Sequence, residues 1–528
     1  MSATPLRRDL AAFTGRTFDL AVIGGGIVGA CIARDAARRG LSVALIDKGD
    51  FSSGTSAASS KLVHGGIRYL RSFELRLVRE ALRERRLWAT NASHLVRPLP
   101  FLLPIGDSSA AALRAGVALY DLLAFDGNRI PDAEQRVPRH RFLQPREAER
   151  MEPALAGVAG NGAILYYDYQ MESAERLGLE CVMDAVSHGA CAANYLAMTG
   201  FLRSGSGLLE GLAVKDALSG GGFEIRARSV MNATGPWADQ VAAQALGAAA
   251  PFTLRRSKGI HLVCRNFLGP QALALTRKGR HLFALPWRGR SLIGTTDIPY
   301  DEEPGEVGVS EEEEADLLHS FSAMLPGGRV KPQDIVHRYA GVRPLIGRAD
   351  GGKGTYALSR GAEIVEHGRS GGPPNLISAI GGKWTTARLI AEKAVDKVAA
   401  RLGCALRPCD TASARLPLAP PGTVKEHEEE MGRRLSGLHE AAKAQLMRSY
   451  GTAAEDVVRT AQRNRNWLSP LAPNLPHITA EAAYARRNEM AVRVEDVLFR
   501  RTSIATLGGA SAEVRRQVEQ AFEESAPD

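Results

Sequence analysis

At 528 residues the chain is longer than one hydrophobic core organises, so roughly two to four domains are expected. Hydrophobic residues make up 45% and charged residues 24%, which excludes a disordered chain, and no uninterrupted apolar run reaches the roughly 18 residues of a spanning helix. The net charge of +9 suits anionic lipid, a phosphorylated ligand or simply a basic solvated surface; nucleic acid is set aside, because helix-turn-helix spacing, an RNA-recognition consensus and cysteine-histidine fingers are all missing.

Phe18 to Ile23 is a short apolar run suited to a buried parallel strand, and three glycines follow at once. Ile27 to Arg39 reads as a helix stopped at Gly40, and Ser42 to Asp47 as the next strand. Glu74 to Trp88 is a basic amphipathic helix with its arginines opposite the apolar stripe, as on an ordinary surface helix. Strands are expected near 221 to 234, 260 to 264, 281 to 295 and 335 to 341, in a second and more antiparallel region. Helices are expected over Ser310 to Leu325 and Thr385 to Leu402, with a Pro-rich join at Leu416 to Pro421. Beyond it lie helical candidates Val424 to Tyr450, Ala453 to Arg463 and Ala480 to Phe499, while the glycine-rich pieces near 219 to 222 and 368 to 374 read as loops. The six cysteines lack CxxC spacing and suit a reducing compartment, no metal is expected, and Arg7, Arg8 and Asp9 lead into no secretory-type apolar core.

Gly24, Gly26 and Gly29 form GxGxxG between a strand and a helix, with Asp47 ending the next strand 18 residues past Gly29. The first glycine permits a tight turn, the second lets backbone approach a pyrophosphate closely, and the third allows close packing of helix on strand. The helix start offers unpaired N–H groups to the anion, and Asp47 can accept from ribose hydroxyls. The motif alone does not separate NAD from FAD. Two later segments favour FAD: Val230 to Trp237 (VMNATGPW) resembles the strand and turn that return to the nucleotide in flavoproteins, with Gly235 in the turn. Ile377 to Lys393 supplies a strand, a Gly-Gly turn at Gly382 and a helix start that would favour negative charge on a reduced flavin.

Across nearly its whole length the chain resembles FAD-dependent glycerol-3-phosphate dehydrogenases of the aerobic, respiratory type. The matching pieces are Asp19 to Leu70, NATGPW (Asn232 to Trp237), IGTTD (Ile293 to Asp297), YAGVRPL (Tyr339 to Leu345), GGKWTT (Gly381 to Thr386) and EDVLFRRT (Glu495 to Thr502). Two positions depart from the family pattern, which carries glutamate where Asp47 stands and tyrosine where Ala387 stands. The resemblance implies an α/β fold: a Rossmann-like FAD-binding domain, an interleaved mixed or antiparallel substrate domain and a C-terminal α-helical domain. Residues 1–17 would be a tail, and 18–400 the oxidoreductase region. Within that region, about 18–98, 165–250 and 350–400 would bind FAD, about 99–164 and 251–349 would cap the substrate, and 415–528 would be helical.

The implied reaction is oxidation of glycerol 3-phosphate to dihydroxyacetone phosphate, the C2 hydride passing to flavin N5 and the electrons on to a quinone. Arginine suits the phosphate through its paired hydrogen bonds, so Arg68, beside Tyr69, and Arg343 are the leading substrate contacts. Lys383 can stabilise an alkoxide or flavin anion, and GGK is no Walker A loop because GxxxxGK[ST] is missing. His261 is the candidate base, its pKa being near neutrality; the competing reading is a buried, satisfied histidine, and His64 is a rival placed with the flavin loop, Ser52 to Lys61, which resembles the family segment that wraps the flavin. Thr55, Ser56, Ser60, Lys61, His64, Gly65, Gly382, Lys383 and Trp384 complete the expected flavin contacts. The resemblance further implies a cytoplasmic enzyme held peripherally on the cytoplasmic face of the membrane, and leaves a homodimer open. The alternatives are an oxidase that passes the electrons to oxygen and, from another class, a flavin-binding regulatory module without turnover.

Overall fold

The computed structural model describes residues 4–106, 110–277, 279–326, 330–347 and 361–526. Residues 350–360 of the third expected FAD segment therefore lie outside the described residues. Two sheets organise the chain, eight-stranded and ten-stranded among the described residues.

The first sheet grows from β1 (Thr17–Ile23), helix α1 (Ile27–Arg38) and β2 (Val43–Ile46). Its order is Ala362–Glu366, Leu376–Gly381, Gly222–Asn232, β1, β2, Cys191–Ala193, with a parallel centre. All four residues of β2 are buried, as expected for a strand covered on both faces. On one face α1, Ala174–Ser187 and Ala387–Leu402 share an apolar core that runs on into the C-terminal helices. Each fully buried Val, Leu, Ile or Phe there is worth roughly 1.5–3 kcal/mol. The strand expected near 221 to 234 belongs here, not to the antiparallel region: it lies parallel to β1, while its antiparallel edge faces Leu209–Asp216. Alternation within a strand reveals which face is buried but not which neighbour it pairs with.

In the second sheet the long strands Thr253–Arg265 and Ile335–Gly347 pair antiparallel, and Arg290–Gly294 flanks the first of them. The run near 281 to 295 is two strands, Arg280–Trp287 and Arg290–Gly294, joined by a tight turn at Arg288 and Gly289. One face packs on Glu311–Met324 through Leu317 and Phe321, the other on Leu75–Asn91 and Ala110–Leu123 through Val78, Leu82, Val117 and Tyr120.

Several local expectations need correction. On Leu75–Asn91 the arginines are not all solvated: Arg85 is buried against Asp168 at 2.6 Å, and Glu84 against Arg388. Val424 to Tyr450 is two helices, Val424–Arg434 and Glu440–Tyr450. Ala480 to Phe499 is likewise broken, into Ala480–Asn488 and a π-type turn, Asp496–Arg501. Apart from these corrections, Leu416 and Leu418 of the Pro-rich join are buried in the main core. The N-terminal stretch is docked too: Phe13 is buried, and Arg8 pairs with Asp216 at 2.5 Å.

Candidate active site

Where β1 ends, Gly24 takes a φ of +102°, and a Cβ there would stand 2.6 Å from the Ala233 carbonyl oxygen. At Gly29 a Cβ would meet the Gly24 carbonyl oxygen at 1.8 Å, so any side chain would push α1 off the sheet. Gly26 caps α1 without a side chain, and Ser56 Oγ accepts from the Ile27 N–H at 2.9 Å. Asp47 accepts from the Gly25 N–H through Oδ2 at 2.6 Å and from the Gly49 N–H through Oδ1 at 2.8 Å. Desolvation outweighs these bonds and pushes its carboxyl up to about 6. Thr55 Oγ1 donates to the Val342 carbonyl at 2.6 Å, tying this loop to the second sheet.

A cavity of about 1560 Å³ runs from this turn to the second sheet. Small-ligand clefts are typically about 300–1,000 Å³, so a dinucleotide and a small substrate have room together. At its far end the strand register sets Ser257 opposite Arg343, and His261 between Gly294 and Tyr339. His261 stacks on Tyr339 with ring centroids 4.9 Å apart, and its Nε2 lies 2.8 Å from Ser60 Oγ. Nδ1 is buried without a hydrogen-bond partner among the described residues. Burial, then the charges of Arg343 and Lys61, hold this histidine well below its usual pKa, so the ring is neutral at pH 7. Arg343 donates to Thr295 Oγ1 at 2.7 Å, the Thr296 carbonyl at 3.1 Å and Ser257 Oγ at 3.2 Å.

The third wall is built from two segments far apart in sequence. The His64 N–H donates to Thr385 Oγ1 at 3.1 Å, joining the turn at His64 to Gly66 to GGKWTT, and Lys383 Nζ sits 3.7 Å from the Tyr69 ring centroid. Arg68 lies over the same tyrosine at 5.5 Å. Gly235, Gly382 and Trp384 line the cavity, and Trp384 Nε1 is a buried donor with no partner among the described residues.

Two expected flavin contacts stand elsewhere. Lys61 turns away: it is 1% exposed, and its ammonium donates to Glu175 at 2.6 Å and to the Ala57 carbonyl at 2.7 Å. Gly65 is not among the lining residues and donates its N–H to Asp168 at 3.1 Å; Gly29 packs helix on strand, the part the sequence assigns to it. Sequence reasoning missed two groups that line the cavity. His281 is pushed down to about 4 by burial, then by Arg68 and Arg71. Trp237 lies under Lys48 at 3.7 Å and donates through Nε1 to Glu303 at 2.5 Å. NATGPW points to the tryptophan, but nothing in sequence couples it to Glu303. Two glycines were missed as well: a Cβ at Gly259 would lie 2.0 Å from Arg343 Nη2, and one at Gly294 would lie 2.4 Å from the His261 ring.

The glycine cradle, the acid beside it and the unpartnered tryptophan donor fit an FAD. A family model described as FAD dependent oxidoreductase matches residues 19–397, and one described as the C-terminal domain of alpha-glycerophosphate oxidase matches 380–526. A glycerol-3-phosphate dehydrogenase of Synechocystis sp. is 37% identical over 515 residues, covering 94% of this chain and 91% of that protein. An aerobic glycerol-3-phosphate dehydrogenase of Staphylococcus epidermidis is 32% identical over 520 residues, covering 95% and 90%. The crystal structure of the glycerol-3-phosphate dehydrogenase from Bacillus halodurans complexed with FAD superposes with a TM-score of 0.74 at 28% identity, covering 98% of this chain and 96% of that one. The chain thus belongs to the FAD-dependent oxidoreductases and, among them, to the glycerol-3-phosphate dehydrogenase family, with FAD as its cofactor.

Proposed function

We propose that this chain oxidises sn-glycerol 3-phosphate to dihydroxyacetone phosphate and hands the electrons to a quinone while bound peripherally at the cytoplasmic face of the membrane. The observation that carries the reading is a single cavity holding both the dinucleotide turn and Arg68, His261, Arg343 and Lys383, contributed by four separate stretches of chain. Bound FAD supplies the two-electron acceptor.

In this reading Arg343, held by Thr295, Thr296 and Ser257, presents its guanidinium to the phosphate with little orientation left to lose. Arg68 and Lys383, gathered on Tyr69, add positive charge at the opposite wall. His261 accepts the C2 hydroxyl proton, since a neutral imidazole has the lone pair that an imidazolium lacks. Its low pKa makes it a weak base in the free protein, and the arriving phosphate dianion offsets Arg343 and strengthens it. Ser60 Oγ fixes the ring orientation from the flavin loop. Asp47, Ser56, Gly235, Gly382 and Trp384 hold the cofactor; Lys61 and Gly65 support that loop from behind. The interleaved division of 18–400 and the helical unit from 415 follow the same reading, and a homodimer is compatible with it.

An anaerobic titration with glycerol 3-phosphate tests the proposal. The flavin bands should bleach in proportion to added substrate, and a soluble quinone should restore them. A flavin that stays oxidised removes the activity and leaves a binding module. The match to an oxidase C-terminal domain gives weight to one second reading, oxygen as acceptor. Stoichiometric peroxide without quinone reduction would select it. Among the described residues no helix is long and apolar enough to cross a membrane.

A further inference from the structure

Among the described residues that line the cavity none belongs to Glu495 to Thr502, yet this segment is built around buried charge. Its π-type turn, Asp496–Arg501, brings two adjacent arginines onto one carboxylate, although neighbouring side chains on a regular α-helix diverge by about 100°. Arg500 Nε and Arg501 Nη1 each donate to Asp50 Oδ2 at 2.6 Å, and Arg501 Nη2 donates to Oδ1 at 3.0 Å. Asn194 completes the set on Oδ1 at 2.8 Å. Burial alone would push the Asp50 carboxyl up, but Arg501 and Arg500 overcome it and hold the group below its usual range.

Asp50 sits three residues past Asp47 in the turn that shapes the nucleotide site. Gly49 donates its N–H to Asp47 Oδ1, and the Ser52 N–H donates to the Gly25 carbonyl at 3.0 Å, closing the turn on the glycine loop. From outside, the Tyr195 N–H donates to the Gly49 carbonyl, and Tyr195 OH donates to Asp496 Oδ1 at 2.6 Å. Behind the arginines stands a second buried pair: Arg501 donates to the Glu489 carbonyl, and Arg176 grips the Glu489 carboxylate at 2.7 and 3.2 Å. All of these charges are at least nine-tenths buried or paired within this cluster, so the turn and the C-terminal helices are fixed as one unit.

We propose that the C-terminal domain is a brace for the FAD site: Arg500 and Arg501 act as positioning residues that hold Asp50, and through it the Asp47 to Ser53 turn, in the geometry that accepts the ribose. Two physical links carry the effect. One is geometric, through the Gly49 and Ser52 backbone bonds. The other is electrostatic, because the Asp50 charge adds to the forces that raise the Asp47 carboxyl, and neutralising it keeps Asp47 a better acceptor. The inference rests on FAD being the cofactor and not on the identity of the substrate.

The test is FAD release from full-length holoenzyme, followed by the rise in free flavin fluorescence on dilution, for Arg500→Gln, Asp47→Asn and the double variant. Arg434→Gln, on a solvent-exposed pair of the same domain, is the control. Arg500→Gln, which also gives up the Arg500 bond to Asp496, should speed release about tenfold, the equivalent of its one charge-assisted hydrogen bond to Asp50, and Arg434→Gln should leave it unchanged. In the Asp47→Asn background the Arg500→Gln effect should shrink below about threefold, because the two act through one contact. Unchanged release in Arg500→Gln overturns the brace, as does an equal acceleration in both backgrounds, which would mark a general loss of stability. If Arg500→Gln does not fold, Arg500→Lys keeps the charge but not the fork, and the same two comparisons decide.

Discussion

Replacing Arg343 by alanine tests the substrate end most directly, because its side chain is anchored before any ligand arrives. Three protein acceptors hold the guanidinium, at 2.7, 3.1 and 3.2 Å, so little rotamer entropy remains to be lost on binding. Loss of one charge-assisted bond to a phosphate is worth about 1.5–3 kcal/mol, which predicts a fall in kcat/KM of about 10- to 100-fold or more. Arg343→Lys, which keeps charge without the fork, should fall between the variant and the parent. Gly259→Ala should resemble Arg343→Ala, because the new methyl group would occupy the guanidinium's place, 2.0 Å from Nη2. A second effect separates binding from base catalysis. Arg343 helps hold His261 below its usual pKa, and the base must be neutral to work, so kcat/KM rises as pH passes upward through that pKa. Removing the cation raises the pKa and moves the acid limb to higher pH. Steady-state kinetics with a soluble acceptor across a pH series, with flavin content checked by absorbance, read both effects. Unchanged kcat/KM, or a loss explained wholly by missing FAD, would refute the role.

His261→Ala should retain the yellow cofactor but reduce it slowly in stopped-flow mixing with glycerol 3-phosphate; flavin loss or normal reduction counts against a base. Gly29→Ala should yield protein with little FAD, because the added methyl group meets the Gly24 carbonyl; full flavin content would contradict the packing argument. Lys61→Met leaves Glu175 buried and unpaired and should cost about 3–5 kcal/mol in a denaturant melt, whereas a variant that melts normally and merely loses flavin would return Lys61 to the cofactor. His261 and His281, the latter at about 4, are both held below the ordinary 6.5 by burial. The unfolded chain therefore takes up protons first, so stability should fall as pH drops below 6.5 and, for His281, down to about 4. His281→Asn should flatten that slope in thermal melts, and an unaltered slope would exclude this histidine as a source.

Local chemistry was legible wherever it is written in consecutive residues. GxGxxG between a strand and a helix, the acid 18 residues beyond Gly29, and the helix stop at Gly40 are matters of backbone sterics and hydrogen bonding within one β-α-β unit. Their placement in the structure follows the sequence to within a residue or two. Arg68, His261, Arg343 and Lys383 were identifiable as candidates, but no spacing among residues 68, 261, 343 and 383 says that they meet. Strand register decides that, setting His261 beside Tyr339 and Arg343 opposite Ser257, and register depends on which strands pair across the whole sheet. The same gap explains the misplaced strand at Gly222–Asn232, the burial of Arg85, and Lys61, whose partner Glu175 lies 114 residues away. A sequence specifies side-chain type and local period, while the partner that satisfies a buried charge is supplied by another element, so only the tertiary structure distinguishes a cofactor contact from an ion pair in the core.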